Sequence, residues 1–155
     1  MLLRDLDAHG VLLLTWNRPE RNNGWSDELE EAYFATLIVA ANDPAVRAIV
    51  VTGAGKSFCP GKDIAALQES ATRGSQANLG RRWPMTTARL IPKPIIAAVN
   101  GACAGIGFVQ MASSDLAFAS TTAKFTTAFS RRGLPAENSL SVSYTHLTLP
   151  TILRV

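Results

Sequence analysis

Two stretches of this sequence share one plan, and that plan narrows the folds open to the chain more than any other feature. Ala48–Thr52 is short, apolar and β-branched, and it runs into a glycine-rich segment, Gly53 to Gly61. Ile95–Val99 runs in the same way into Gly101 to Gly107. Such runs suit strands covered on both faces, the habit of parallel sheets. A helix is expected after each loop, from Asp63 to about Glu69 and from about Ile106 to Ala112. Leu116–Ala119 reads as a third short strand. Strand, loop, helix, repeated, predicts an α/β domain of parallel strands with right-handed crossovers.

Upstream, Leu2–Leu6 and Val11–Trp16 read as strands around the turn His9-Gly10. Asn17-Arg18-Pro19-Glu20 breaks that pattern. Ser26 or Asp27 is placed to cap a helix whose buried face is read from Phe34, Leu37, Ile38 and Ala41. Asn42-Asp43-Pro44 ends it. Leu79 to Leu90 is helical in pattern apart from Pro84.

Composition sets outer limits. The chain has 155 residues, 47% of them apolar and 17% charged, against ~25% charged in an average domain. That suits one folded domain and excludes a disordered segment. A net charge of +3 without any block of like charges gives no reason to expect nucleic acid, and suits an anionic small ligand. No run approaches the ~18 apolar residues of a membrane span, and the first residues lack a signal-peptide pattern. No membrane partner is therefore expected, and the expected location is cytoplasmic. Cys59 and Cys103 make no disulfide framework, and His9 and His146 are the only histidines, so no zinc spacing arises. Both cysteines are expected to be small packing residues. Trp16 and Trp25 are expected in the core, and Asp115 at a turn.

The glycine loops raise the question of what they hold. A backbone N–H at a helix start attracts negative charge, and glycine lets a ligand come close. Gly53-Ala54-Gly55-Lys56-Ser57 ends like a P-loop, but the glycine required five residues before Gly55 is Val50. A dinucleotide fingerprint from Gly105 and Gly107 would need a third glycine where Gln110 stands. Two readings stay open. The glycines make turns only, or they bring two N–H donors onto one oxygen, an oxyanion hole.

Four segments then resemble one family in order and spacing: Asn17-Arg18-Pro19-Glu20-Arg21-Asn22, Phe58-Cys59-Pro60-Gly61-Lys62-Asp63, Val99-Asn100-Gly101-Ala102-Cys103-Ala104-Gly105-Ile106-Gly107, and Asp115. They resemble the crotonase superfamily, the enoyl-CoA hydratases and isomerases, over residues 1 to about 141. The resemblance implies a spiral of ββα units, of which this chain would hold the N-terminal core only. It implies an acyl-CoA thioester as substrate, and a homotrimer or dimer of trimers for the full-length parent. It implies oxyanion donors at the peptide N–H of Lys62, after Gly61, and of Ile106, after Gly105. Coenzyme A would lie along Gly61, Asp63, Ile64 and Ala66 and near Arg18 and Arg21. Those arginines could equally be solvated surface, and Asp63 could be a helix cap. No metal or resident cofactor is implied, since coenzyme A arrives with the substrate.

The departures bear on the reaction. The resemblance places the two water-activating glutamates of the hydratases at positions 109 and 129, which here are Val109 and Phe129. Neither moves a proton. Glu137, in Gly133-Leu134-Pro135-Ala136-Glu137, falls where isomerase-type members carry an acid. The expected chemistry is therefore a double-bond shift with Glu137 as base. Hydration in fatty-acid β-oxidation, or CoA-thioester binding without catalysis, is the alternative. Arg131-Arg132 is surface charge or a phosphate contact. After Ser141 the resemblance stops. Val142–Thr151 reads like one frame of a sequencing-library adaptor, so residues 142–155 are expected to be a non-native tail, with His146 outside any site. The 155-residue product is expected to fold poorly by itself.

Overall fold

A computed structural model describes residues 1–63 and 82–127. Leu2–Leu6 (β1) and Val11–Trp16 (β2) form an antiparallel hairpin. Its turn is held by Asp7, whose Oδ1 accepts from the peptides of His9 and Val11, both at 2.8 Å. Helix α1, Asp27–Asn42, starts at Ser26, whose Oγ accepts from the Leu29 N–H at 3.3 Å. Asp27, Glu28 and Glu30 fill its first turn and suit the positive end of the helix dipole. Its last turn has no basic residue. Lys93 supplies the charge from outside, its Nζ donating to the carbonyls of Ala40, at 2.6 Å, and Asp43. The buried face of α1 is Leu29, Tyr33, Phe34, Leu37 and Ala40. Ile38 and Ala41, expected on that face, lie at its margin, partly buried.

After α1 the chain alternates between two sheets. Ala48–Gly53 (β3), Ile95–Val99 (β5) and Leu116–Ala119 (β7) extend the hairpin into a five-stranded sheet of order β1-β2-β3-β5-β7, parallel from β2 onward. Ser57–Cys59 (β4), Ala102–Ala104 (β6) and Phe125–Thr126 (β8) form a parallel three-stranded sheet of order β4-β6-β8. Each unit thus gives one strand to each sheet, and Ile106–Ala112 (α2) follows the second pair. This is the ββα progression that the family resemblance implies.

Three local expectations are corrected. The glycine-rich segments are not simple loops, because each contains a three-residue strand of the smaller sheet. Such strands are too short to show an alternating pattern. β3 and β5 are covered completely on one face only. Ile49, Val51, Ile95, Ala97 and Val99 are buried, while the residues between them are half-buried. In the described part of the 79–90 pattern, residues 82–90, the one helical element is a 3-10 turn at Thr87–Leu90, preceded by a bond from the Thr87 N–H to the Pro84 carbonyl. The helix expected from Asp63 to Glu69 lies outside the described residues.

The core locks the sheets together through aromatic rings. Trp16 of β2 meets Trp25 edge-on at 5.4 Å, Tyr33 of α1 at 5.6 Å and Phe58 of β4 at 4.6 Å between ring centres. Pairs of this kind add about 0.5–1.5 kcal/mol each beyond the area they bury. Trp25 and Trp16 are core residues, as expected, and the Trp25 Nε1 donates to Glu30 at 2.9 Å. Asp115 ends the turn between α2 and β7, as expected, and also pins the starts of two neighbouring strands. Its Oδ2 accepts from the Ile95 N–H at 2.8 Å, and its own N–H donates to the Ile95 carbonyl at 2.9 Å.

Candidate functional site

The two glycine loops meet at their far ends. The Trp25 N–H donates to the Gly61 carbonyl, and the Asp63 N–H to the Trp25 carbonyl, both at 2.8 Å. That is a parallel bridge between Trp25 and Lys62. In this pairing the bridged residue turns its own peptide groups to the opposite side, so the Lys62 N–H faces away from Trp25. On the other loop, the Gly105 carbonyl accepts the first bond of α2, from the Val109 N–H at 3.1 Å. Ile106 is the first residue of that helix, and its N–H has no acceptor within it.

Gly61 has φ +112° and Gly105 has φ +49° with ψ −118°, conformations that suit glycine. A Cβ added to Gly105 would lie 3.6 Å from the Gly61 Cα. The residues that directly precede Lys62 and Ile106 are therefore neighbours in space, and a Cβ on Gly105 would make ordinary van der Waals contact with Gly61. Two more close approaches hold them there. A Cβ at Gly101 would lie 2.0 Å from the Lys56 carbonyl oxygen, and one at Gly107 2.1 Å from that of Cys59.

Around this junction the side chains are mostly structural. Asp63 is buried, with its Oδ2 2.9 Å from the Arg18 guanidinium and its Oδ1 3.5 Å from that of Arg21. Arg18 also donates to the Gly24 carbonyl at 2.8 Å. Arg18 is thus neither solvated surface nor an unengaged phosphate ligand, but a strut between the 18–24 segment and the end of the first glycine loop. Arg21 is half-exposed. Cys59 and Cys103 face each other in register across β4 and β6, both buried. Burial pushes each thiol up to about 12, which fits packing residues and not nucleophiles. On α2, Val109 and Gln110 are buried, and Gln110 donates to the Met85 carbonyl at 3.0 Å. Ile64, Ala66, Phe129, Arg131, Arg132 and Glu137 lie outside the described residues.

Asn23 escapes a reading of the sequence, and Asn100 and Gly107 stand in a motif of the family resemblance that by itself gives them no role. Asn23 is fully buried with φ +60°, and Asn100 sits between β5 and β6. Their amides bind the carbonyls of the first glycine loop. The adjacent Asn23-Gly24 pair is a turn signal, which marks the bend but not the long-range bonds.

Comparison with known proteins gives one consistent result. A family model described as enoyl-CoA hydratase/isomerase matches residues 7–146. The 1,2-epoxyphenylacetyl-CoA isomerase of Escherichia coli K12 is 39% identical over 131 residues, 81% of this chain and 50% of that protein. The hydroxycinnamoyl-CoA hydratase-lyase of Pseudomonas fluorescens is 32% identical over 138 residues, 85% of this chain and 50% of that protein. The crystal structure of an enoyl-CoA hydratase from Polaromonas sp. JS666 superposes with a TM-score of 0.84 at 31% identity, covering 96% of this chain and 59% of that one. The chain spans about half the length of the curated relatives it matches.

Proposed function

We propose, for a chain that belongs to the enoyl-CoA hydratase/isomerase family, that the whole protein binds an acyl-CoA thioester and shifts a double bond in its acyl part. The observation that carries this reading is the proximity of Gly61 and Gly105, where a Cβ added to Gly105 would lie 3.6 Å from the Gly61 Cα. It supports a placement of the Lys62 and Ile106 peptide units near each other at the ends of the two loops. In this reading both N–H groups donate to the thioester oxygen. A base removes a proton from the acyl chain, the electron pair moves onto that oxygen as a dienolate, and the proton returns at another carbon. Removing one such donor costs about 2.7–4 kcal/mol of transition-state stabilisation.

Glu137 is the proposed base. Its support is the sequence: the positions at which the family resemblance puts the hydratase glutamates hold Val109 and Phe129. Val109 is also buried and apolar. Arg21, half-exposed beside Asp63, is the proposed contact for a phosphate of coenzyme A, with Gly61, Asp63, Ile64 and Ala66 beneath the nucleotide. Arg18 is proposed to act through Asp63.

The test is incubation of the intact protein with a β,γ-enoyl-CoA. Rising absorbance from a conjugated thioester supports isomerisation. Loss of that absorbance from an α,β-enoyl-CoA supports hydration, the second reading, favoured by the name of the Pseudomonas relative. Binding without turnover leaves a CoA-thioester binding protein. Glu137→Gln is expected to lower kcat by about 10²–10⁴-fold, the range for loss of a general base, with little change in affinity for coenzyme A. Undiminished turnover removes Glu137 from the mechanism.

A further inference from the structure

We propose that Asn23 and Asn100 are positioning residues whose side-chain amides meet on one backbone carbonyl, that of Ser57, and so set the strands leading to Lys62 and Ile106 in step. The inference rests on the reading of those two N–H groups as the thioester's donors.

Asn23 donates from Nδ2 to the carbonyls of Ala54, at 2.9 Å, and Ser57, at 2.7 Å, while its Oδ1 accepts from the Arg18 N–H at 2.9 Å. Asn100 donates from Nδ2 to the carbonyls of Gly55, at 2.9 Å, and Ser57, at 3.4 Å, and its Oδ1 accepts from the Gly53 N–H at 3.2 Å. Each side chain thus combines two donated bonds with one accepted bond, a set that only an amide supplies at this length. The two come from opposite sides, Asn23 from the segment after β2 and Asn100 from the end of β5.

Their shared target stands at a branch point. Ser57 opens β4, and four residues later the chain reaches Gly61 and Lys62. Asn100 precedes Gly101 and β6, and five residues later the chain reaches Gly105 and Ile106. The pairing of β4 with β6 is short and shifts register between Ser57 and Cys59. Pairing alone therefore specifies their alignment weakly. A slip of one residue would displace one donor by about 3.3 Å, whereas both must lie about 2.7–3.1 Å from a single oxygen. The two amides fix the starting point of both strands.

Asn100 is half-buried, so Asn100→Asp is the first variant. It keeps the acceptor for Gly53 and replaces the donor by a negative charge against two carbonyls. Asn100→Ala, which removes the donor without adding charge, is the second. Lys93→Met, which removes the outside cap of α1, is the control for lost stability alone. The probe is butyryl-CoA carrying ¹³C at the thioester carbon, bound to the intact protein and read by its infrared carbonyl band. Melting curves, affinity for free coenzyme A, and kcat and KM for a β,γ-enoyl-CoA are measured alongside.

The wild type is expected to move the carbonyl band to lower wavenumber. Both Asn100 variants are expected to lose that shift and about tenfold or more in kcat, as misplacement by an ångström does. Their affinity for free coenzyme A and their KM should stay within about threefold of wild type, while Lys93→Met lowers Tm and keeps the band shift. Folded Asn100 variants that retain both shift and kcat would overturn the proposal. So would a loss that merely tracks the unfolded fraction, as in Lys93→Met. A wild type that binds the thioester without any band shift refutes the donor reading itself, and this proposal with it.

Discussion

Replacing Gly107 by alanine sets two effects of comparable size against each other. In an unencumbered helix the exchange is favourable by up to about 1 kcal/mol. Here the new Cβ would lie 2.1 Å from the Cys59 carbonyl oxygen, 2.8 Å from its Cβ and 2.9 Å from its carbonyl carbon. Real Cβ contacts essentially never fall below 3.0 Å, and two of these three atoms are backbone of β4, held in the smaller sheet. Helix α2 must therefore withdraw by about 1 Å, at about 1–3 kcal/mol for overpacking. The balance is a destabilisation of up to about 2 kcal/mol, or at most about 8 °C in Tm at 2–4 °C per kcal/mol for a chain of this size class. Turnover should suffer more. Ile106 moves with the helix, and a donor displaced by an ångström from its 2.7–3.1 Å range is effectively lost, which costs about 10²–10³-fold in kcat. Thermal unfolding and initial rates on one preparation of the intact protein separate the two. A variant with raised Tm and unchanged kcat would refute the reasoning, because the Cys59 contact would then not be what sets the distance of α2.

Two further outcomes follow from the buried groups. The thiols of Cys59 and Cys103 ionise near 9.0 when unfolded and only at about 12 in the native protein. Between those values the unfolded state holds fewer protons, so stability should fall as pH rises through that window. Denaturation midpoints from pH 8 to 11 check this, and a Cys59→Ala, Cys103→Ala double variant should flatten the slope; an unchanged slope would show that the thiols do not cause it. Arg18→Met removes the 2.9 Å partner of a buried carboxylate and leaves Arg21 at 3.5 Å. A loss of about 1.5–3 kcal/mol, the usual range for a hydrogen bond to a charged group, is expected in denaturant titration. A free-energy change below about 0.3 kcal/mol would mean that solvent replaces the strut.

What could be read from the sequence, and what could not, divides by the range of the interaction. β1, β2, β3, β5 and β7 announce themselves through apolar runs and turn residues. The start of α1 shows in Ser26, and α2 in the run after Gly105. All of these are local signals. The smaller sheet is not local. Ser57–Cys59 becomes a strand only because Ala102–Ala104 lies beside it, and three residues carry no period. The same holds for Lys93, which caps a helix that ended some fifty positions earlier, and for Asn23 and Asn100, whose partners lie about 30 to 47 positions away. Arg18 leaves two readings open in the sequence for a related reason: its partner Asp63 belongs to a different loop. Glycine spacing marks the junction of the two loops, but the spacing alone does not say that Gly61 and Gly105 lie next to each other in space.

That proximity would let such a site be strict and permissive together. Its proposed donors are peptide groups, so the side chains at Lys62 and Ile106 are free of any chemical requirement from the oxyanion. The constraint falls instead on residues that touch no substrate. Gly101 and Gly107 have no room for a Cβ beside Lys56 and Cys59, and Gly61 and Gly105 need backbone conformations that suit glycine. The groups that would decide the fate of an enolate stand apart from this frame, at positions such as Val109 on α2. The glycine frame by itself therefore does not distinguish hydration from isomerisation. Introducing Val109→Glu alone places an unpaired carboxylate at a buried position and should lower Tm, while the fraction that stays folded should keep the carbonyl band of a bound thioester near its wild-type position if backbone contacts set the proposed donors.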